Sequence, residues 1–265
     1  MSVAPLLAPL ESAWRNPFDD DAARTHSSYH AFHDGELVRL LEAAPPAPFA
    51  VVANAAFRAF VLDERFSCLG AKSSIRRATY RLGAYARMDD AAVTAGLARD
   101  LYAFAAERHG FESTFTTFVA VFREHVDGGE AGFERALWSQ LQRLHDLDAA
   151  HHPWDPRVSD DPDDPRFSFS VAGTAFFVVG LHPRASRASR RFAWPALVFN
   201  AHEQFERLRE DGRFFGLQAK IRERELRFHG DLNPNLTDYG RDSEARQYSG
   251  RPTGEPWRCP FTPRR

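Results

Sequence analysis

Two periods of apolar residues alternate along this chain. Over DDAAVTAGLARDLYAFAAER (89–108), apolar side chains recur at Val93, Leu97, Leu101 and Phe104, the spacing of one helix face, with Asp at the start as a cap. GFERALWSQLQRLHDLD (132–148) repeats that spacing through Phe133, Leu137, Leu141 and Leu144 and sets His145 at the edge of the stripe. HEQFERLREDGRFFGLQAKIRERELRFHG (202–230) is helical through Phe205, Leu208, Leu217 and Ile221, with a break expected near Gly212. Shorter helices are expected over GELVRLLEAA (35–44) and NAAFRAFVLDERF (54–66), the second delivering the chain to FSCLGAKSS (66–74), which reads as a Gly, Ala, Lys turn. Elsewhere the period shortens. FTTFVAVF (115–122) is β-rich and almost wholly apolar, the mark of a buried strand. FSFSVAGTAFFVVGL (167–181) starts with the alternation Phe167, Phe169, Val171, as a strand pair or one strand bent at Gly173, and PALVFN (195–200) is a third strand.

AAPPAPFA (43–50) and SDDPDDP (159–165) read as loops, and the stretch from 233 to 261 mixes turn formers with Tyr, Trp, Phe and Cys, as an ordered tail wrapped on the body does. Helices and strands interleave without a βαβ rhythm. The expected class is therefore α+β: a single mixed domain with a central, mostly antiparallel sheet, flanking helices and a loop-rich C-terminal tail. Residues 1–50 are expected as an N-terminal segment packed on a body formed by 51–265.

Composition narrows the classes. With 43% hydrophobic residues, 23 Phe, 5 Trp and a net charge of -2, the 265-residue chain is globular and shows no footprint for nucleic acid. No apolar run approaches the ~18 residues of a membrane span. The start, MSVAPLLAPLESAWRNP, lacks a basic stretch before its short apolar run and makes a poor signal peptide, so a cytoplasmic location is expected. Cys68 and Cys259 lie 191 positions apart with no Cys-x-x-Cys, which predicts free thiols. Nearly all cations are Arg, the exceptions being Lys72 and Lys220, so an Arg at any one place carries little information.

Three stretches could carry chemistry. Cys68 reads either as an inert packing thiol between Phe66 and Leu69 or as a working sulfur. For the second reading, Gly70 would let a flat ligand approach the backbone, and Lys72, Arg76 and Arg77 would favour the thiolate. In LHPRASRASRRFAWPALVFNAHEQFERLR (181–209), His182, Asn200 and His202 sit at strand ends, and Arg184, Arg187, Arg190 and Arg191 suit carboxylates, unless they form a solvated basic loop. His182 and His202 read equally as structural histidines, His202 as a helix cap. SEARQYSGR (243–251) gathers Glu244, Arg246, Tyr248 and Arg251 without a mechanism legible from the residues alone. Cys259, between Trp257 and Phe261, reads first as packing and second as a metal-binding sulfur.

FSCLGAKSS, FVAVF, LWSQLQRLHDLD, the run from FSFSVAGTAFFVVGL through HPRASR to FNAHEQFERLR, then NPNL, SEARQYSGR and WRCPF together resemble, in order and spacing, the YqcI/YcgG family over about residues 55 to 261. Characterised members are similar to haem-dependent N-hydroxylases acting on the guanidine of free arginine-like amino acids, in guanitoxin and D-cycloserine type pathways. The resemblance implies haem b as cofactor, dioxygen as co-substrate and an external electron donor, because no flavin or nucleotide motif is visible. It implies Cys68 as the axial thiolate, with His182, His202 and Cys259 as rival ligands. Gly70, Lys72, Arg76, His182, Arg184, Arg187 and Arg190 would hold the cofactor. His202 and Glu244 would serve catalysis. Asn200, Glu203, Arg246, Tyr248 and Arg251 would bind substrate, with Glu206 and Asp148 as further carboxylates for the guanidinium. The chain departs from the usual family motif at Ser67, where Pro is typical, a departure that bears on ligand geometry. A guanidino amino acid is the expected small-molecule partner, with neither nucleic acid nor membrane, and a homodimer as an option. Two rival readings stand beside this one: a metal-dependent oxygenase acting on another amine, and a haem- or ligand-binding protein without turnover.

Overall fold

The computed structural model describes residues 15–232, 242–254 and 256–264. The segment 1–14 and the NPNL string lie outside the described residues. Asp20 and Asp90 each accept a backbone hydrogen bond from the first turn of the helix that follows them, starting α1 (Asp21–His26) and α4 (Ala91–Glu107). Between these come β1 (His30–His33), β2 (Glu36–Arg39), α2 (Pro48–Leu62), α3 (Leu69–Arg76) and β3 (Tyr80–Tyr85); after them come β4 (Thr117–Phe122), α5 (Gly129–Asp148), β5 (Phe169–Val171), β6 (Thr174–Leu181), β7 (Ala196–Ala201), α6 (Glu203–Glu210), α7 (Phe214–His229) and the single turn α8 (Ala245–Tyr248).

The strands form one seven-stranded sheet in the order β2-β1-β3-β4-β7-β6-β5. Only β3 and β4, joined through α4, run parallel; every other neighbouring pair is antiparallel. The mixed, mostly antiparallel α+β architecture expected from the sequence is the one observed.

Strand alternation divides the core into two layers. Phe118, Ala120 and Phe122 of β4 and Leu197 and Phe199 of β7 pack with Leu97, Leu101, Leu137 and Leu141 of α4 and α5. Val119, Val121 and Val198 point the other way, toward Phe57, Val61 and Ile75 of α2 and α3. Part of this second face is left open, and it becomes the candidate site.

Local expectations need correction in three places. GELVRLLEAA is no helix: Asp34 and Gly35 both adopt positive φ, 48° and 87°, and make the two-residue turn of a hairpin between β1 and β2. β1 then pairs with β3, so the N-terminal segment supplies one end of the sheet, with β2 at its edge. FSCLGAKSS is not a turn but the start of α3, with Cys68 at its N-cap. The strand YRLGAY, β3, was not expected, because a buried Arg81 paired with Glu107 interrupts its apolar run. Gly173 lies in the tight turn of a β5–β6 hairpin, the strand-pair reading.

Candidate functional site

A cavity of about 350 Å³ opens between the α2–α3 corner, strands β6 and β7, and helices α6 and α7. Its volume suits a small organic ligand. β6 shows why the sequence builds this wall: Phe177, Val179 and Leu181 face the cavity, while Phe176 and Val178 face the opposite core. Phe57, Val61, Val198, Phe205, Leu217 and Ile221 complete a largely apolar surface.

Cys68 lies on this wall, half-exposed to the cavity, at the N-terminus of α3. Burial pushes its thiol pKa up, against the pull of the Ala71 and Gly70 amides and of Arg190, and Glu225 pushes it up further. The expected lowering by Lys72 and Arg76 does not occur. Lys72 is buried and its Nζ donates to the carbonyls of Leu62 (3.4 Å) and Asp63, fastening the end of α2. Arg76 is exposed at the far end of α3.

The structure brings Arg187, Arg190, Asn200, His202 and Glu244 to the same cavity as Cys68. Glu244 receives the Tyr248 hydroxyl at 2.5 Å, and burial raises its pKa to about 8. His202 Nδ1 is 4.0 Å from Glu244 Oε2, and its Nε2 is 3.0 Å from Oε1 of the half-exposed Glu206. His202 occupies the N-cap position of α6 without a side-chain cap bond, and burial lowers its pKa. Arg190 donates to the carbonyls of Gly180 (3.0 Å), Gln247 (3.1 Å) and Tyr248 (3.3 Å), and burial lowers its pKa to about 10. The Asn200 amide donates to Phe177 O at 3.3 Å.

The other expected site residues are placed elsewhere. The open side of Gly70 is filled by the Phe115 ring, where an added Cβ would meet Cε1 at 2.9 Å, so no ligand face approaches there. His182 stacks on Phe133 at 4.4 Å, away from the cavity, and Arg184 is exposed. Glu203 pairs with Arg108 at 2.9 Å, and Asp148 holds His152 at 2.7 Å. Arg246 donates to the carbonyls of Gly254 and Trp257, Arg251 pairs with Glu134, and Tyr248 acts behind Glu244 rather than on the wall. Cys259 packs against the aromatic core, its pKa pushed up to about 12 by burial. Of the rival iron ligands, only His202 shares the cavity with Cys68.

Sequence reading missed Glu225, Arg209, Arg222 and Asp242, which also line the cavity. Glu225 had a signal: it continues the stripe Leu217, Ile221 at the next four-residue step, a carboxylate on an apolar face. It is buried, accepts the Ser67 hydroxyl and pairs with Arg187 at 3.2 Å. Among the described residues, no group of three or more His, Cys, Asp or Glu gathers as a metal site.

The sequence model of the YqcI/YcgG family matches residues 57–262, which run from within α2 through α8, take in β3 to β7 and include every wall of the cavity. The chain belongs to this family. Neither the curated proteins nor the solved structures contain a match. Family membership therefore covers the Cys68 wall and the Glu244 wall alike, while the β1–β2 hairpin lies before the matched region.

Proposed function

We propose that the protein binds haem b in the Cys68 cavity, where the Cys68 sulfur would hold the iron, and N-hydroxylates the guanidine of a free arginine-like amino acid. One observation carries this reading: in a YqcI/YcgG chain, a sulfur at a helix N-terminus opens onto an apolar cavity that also holds guanidinium groups and a carboxyl group. The lining suits such a group in its chemistry, since haem needs a single soft protein ligand, apolar contact for its ring, and Arg for its carboxylates, while its size together with a substrate requires α7 to stand further out than the cavity of about 350 Å³ leaves it. A bound thiolate-ligated haem supplies the activation of dioxygen, with electrons from an external donor. The overall balance is one N–H, dioxygen, two electrons and two protons giving N–OH and water.

The chain's own residues do the rest. As a ligand Cys68 gives up its proton, and the amides of Gly70 and Ala71 with the Arg190 guanidinium stabilise the anion. Of the carboxyl groups lining the cavity, Glu244, held in place by Tyr248, is the one assigned to a substrate guanidinium. On pairing with that cation it ionises, and the His202 ring, 4.0 Å from it and so beyond direct hydrogen-bond reach, is close enough to take the proton through one bridging water. Arg187, Arg209 and Arg222 are the cavity cations for a carboxylate of substrate or cofactor.

The test is spectroscopic and then chemical. Purified protein supplied with haem is expected to show a Soret band whose reduced carbonyl form is red-shifted as for thiolate ligation, and Cys68→Ala is expected to abolish that shift while Cys259→Ala retains it. No Soret band sinks the haem reading, and an unchanged Cys68→Ala spectrum moves the ligand to another residue. Mass spectrometry is expected to find one added oxygen on arginine, homoarginine or enduracididine; a blank across amino acids overturns the hydroxylase.

A further inference from the structure

Behind the Glu244 wall, three oxidisable rings lead away from the cavity. The Tyr248 ring meets the wall residue Phe177 edge-on, 5.7 Å between centroids, and its hydroxyl donates to Glu244 Oε1 at 2.5 Å. Tyr248 also stacks on Trp138 of α5 at 5.5 Å, with 18° between the ring planes. Trp138 in turn lies 6.4 Å from Trp257, half-buried in the tail. Tyr248 and Trp138 are fully buried, so the series runs from beside the cavity through the core to the surface. Packing alone does not account for Trp138. Its indole Nε1 is buried with no hydrogen-bond partner among the described residues, whereas a buried Trp ordinarily satisfies that group, and an all-carbon side chain would leave no orphan donor. On the Cys68 side the neighbouring rings are Phe57, Phe60, Phe66 and Phe192, which resist one-electron oxidation.

We propose that Tyr248, Trp138 and Trp257 form a relay that carries one-electron oxidising equivalents from the cavity to the protein surface, discharging an oxidant formed there without substrate before it attacks the wall. This rests on the reading of the cavity as a place where dioxygen is activated, and the oxidant is a species of activated oxygen that accepts one electron at a time. Each step balances. Tyr248 gives one electron to the oxidant and its phenolic proton to the neutral Glu244, which passes its own proton into the cavity. Trp138 then returns an electron to Tyr248 while Glu244 hands the phenolic proton back. With no acceptor for its N–H proton among the described residues, Trp138 holds the charge only as a cation, and it passes that charge on by taking an electron from Trp257. Trp257 sheds its N–H proton to water, favoured by the Arg246 guanidinium 5.4 Å from its ring, which disfavours a second positive charge there. That proton replaces the one Glu244 gave up, and a dissolved thiol restores Trp257 by giving one hydrogen atom.

The experiment runs the relay in its downhill direction, from indole to phenol, in the full chain prepared without haem and in a Cys259→Ala background, because that thiol neighbours Trp257 in sequence. A pulse of azide radicals removes one electron from exposed indole. Absorbance then follows loss of indolyl radical and gain of tyrosyl radical, with melting curves to confirm folding. The parent is expected to show a transfer phase whose rate is independent of protein concentration. Trp138→Phe, Trp257→Phe and Tyr248→Phe are each expected to lose it, and Trp194→Phe, in the other layer of the core, to retain it. A phase that persists in Trp138→Phe or Trp257→Phe, one lost equally in Trp194→Phe, or none in the parent overturns the proposal. Should Trp138→Phe fail to fold, the two ends decide: loss in both Trp257→Phe and Tyr248→Phe supports the relay, and persistence in either overturns it. Because haem is absent throughout, a transfer phase in a protein without a Soret band removes the haem reading alone, and a Soret band without a transfer phase removes the relay alone.

Discussion

Burial moves Cys68 and Glu244, both facing one cavity, toward their neutral forms. For Glu244 the consequence can be signed. Its pKa is about 8 in the folded chain against 4.5 ordinarily, so between those values the folded state holds a proton that the unfolded state has lost. Stability therefore falls as pH rises through that window. Glu244→Gln, which mimics the neutral acid, is expected to flatten the dependence, with a difference on the order of a few kcal/mol between pH 5 and pH 8 in urea unfolding. Parallel profiles for variant and parent would remove Glu244 from the account. Lys72 gives the opposite lesson. One of two lysines in an Arg-rich chain, it stood out as a cofactor ligand, yet its ammonium is spent on backbone carbonyls at the end of α2.

At the scale of elements, β6 joins the cavity to the dry core. One face presents Phe177, Val179 and Leu181 to the cavity. On the other, Gly180 admits α5 and α8 so closely that an added Cβ would lie 2.7 Å from Phe133, 2.8 Å from Leu137 and 2.8 Å from the Tyr248 carbonyl. Gly180→Ala is expected to destabilise the protein by about 1–3 kcal/mol through overpacking, read as a lower urea midpoint. Arg190 closes the same junction by donating to Gly180, Gln247 and Tyr248, which fixes α8 and hence the turn carrying Glu244. Arg190→Met is expected to cost about 2–4 kcal/mol, because buried carbonyls lose their donor. A cost below about 0.5 kcal/mol in either variant would mean that the junction relaxes freely.

Across the whole molecule, the sheet separates a rigid side from a working side. α4 and α5 bury long apolar stripes against one face, whereas α7, on the other, holds to the body through Glu225 and Arg224. Local stability follows buried apolar contact, so α7 is expected to lose hydrogen-exchange protection well before α4 and α5, and to regain it when haem or a guanidino amino acid is added. Protection in α7 equal to that in α4 would show that it is no movable cover. Among the described residues no helix is long and apolar enough to cross a membrane.

By itself the sequence determined the long helices, the apolar strands, the α+β class and the family, because each is written in local spacing or in contiguous strings. GFERALWSQLQRLHDLD declares which face it buries wherever it packs, and FTTFVAVF declares burial on both faces. It did not determine the β1–β2 hairpin, where the positive φ of Asp34 and Gly35 outweighed an apparently helical pattern, nor the helix that Cys68 caps. Only the tertiary structure decided which candidates share a cavity. Cys68, Arg190, His202 and Glu244 converge from four separate segments, Gly70 is closed off by Phe115, and Cys259 packs elsewhere. The physical reason is distance: local spacing records burial, whereas the protonation of a sulfur or a carboxyl group depends on charges and desolvation brought in from remote parts of the chain, as Glu225 is to Cys68.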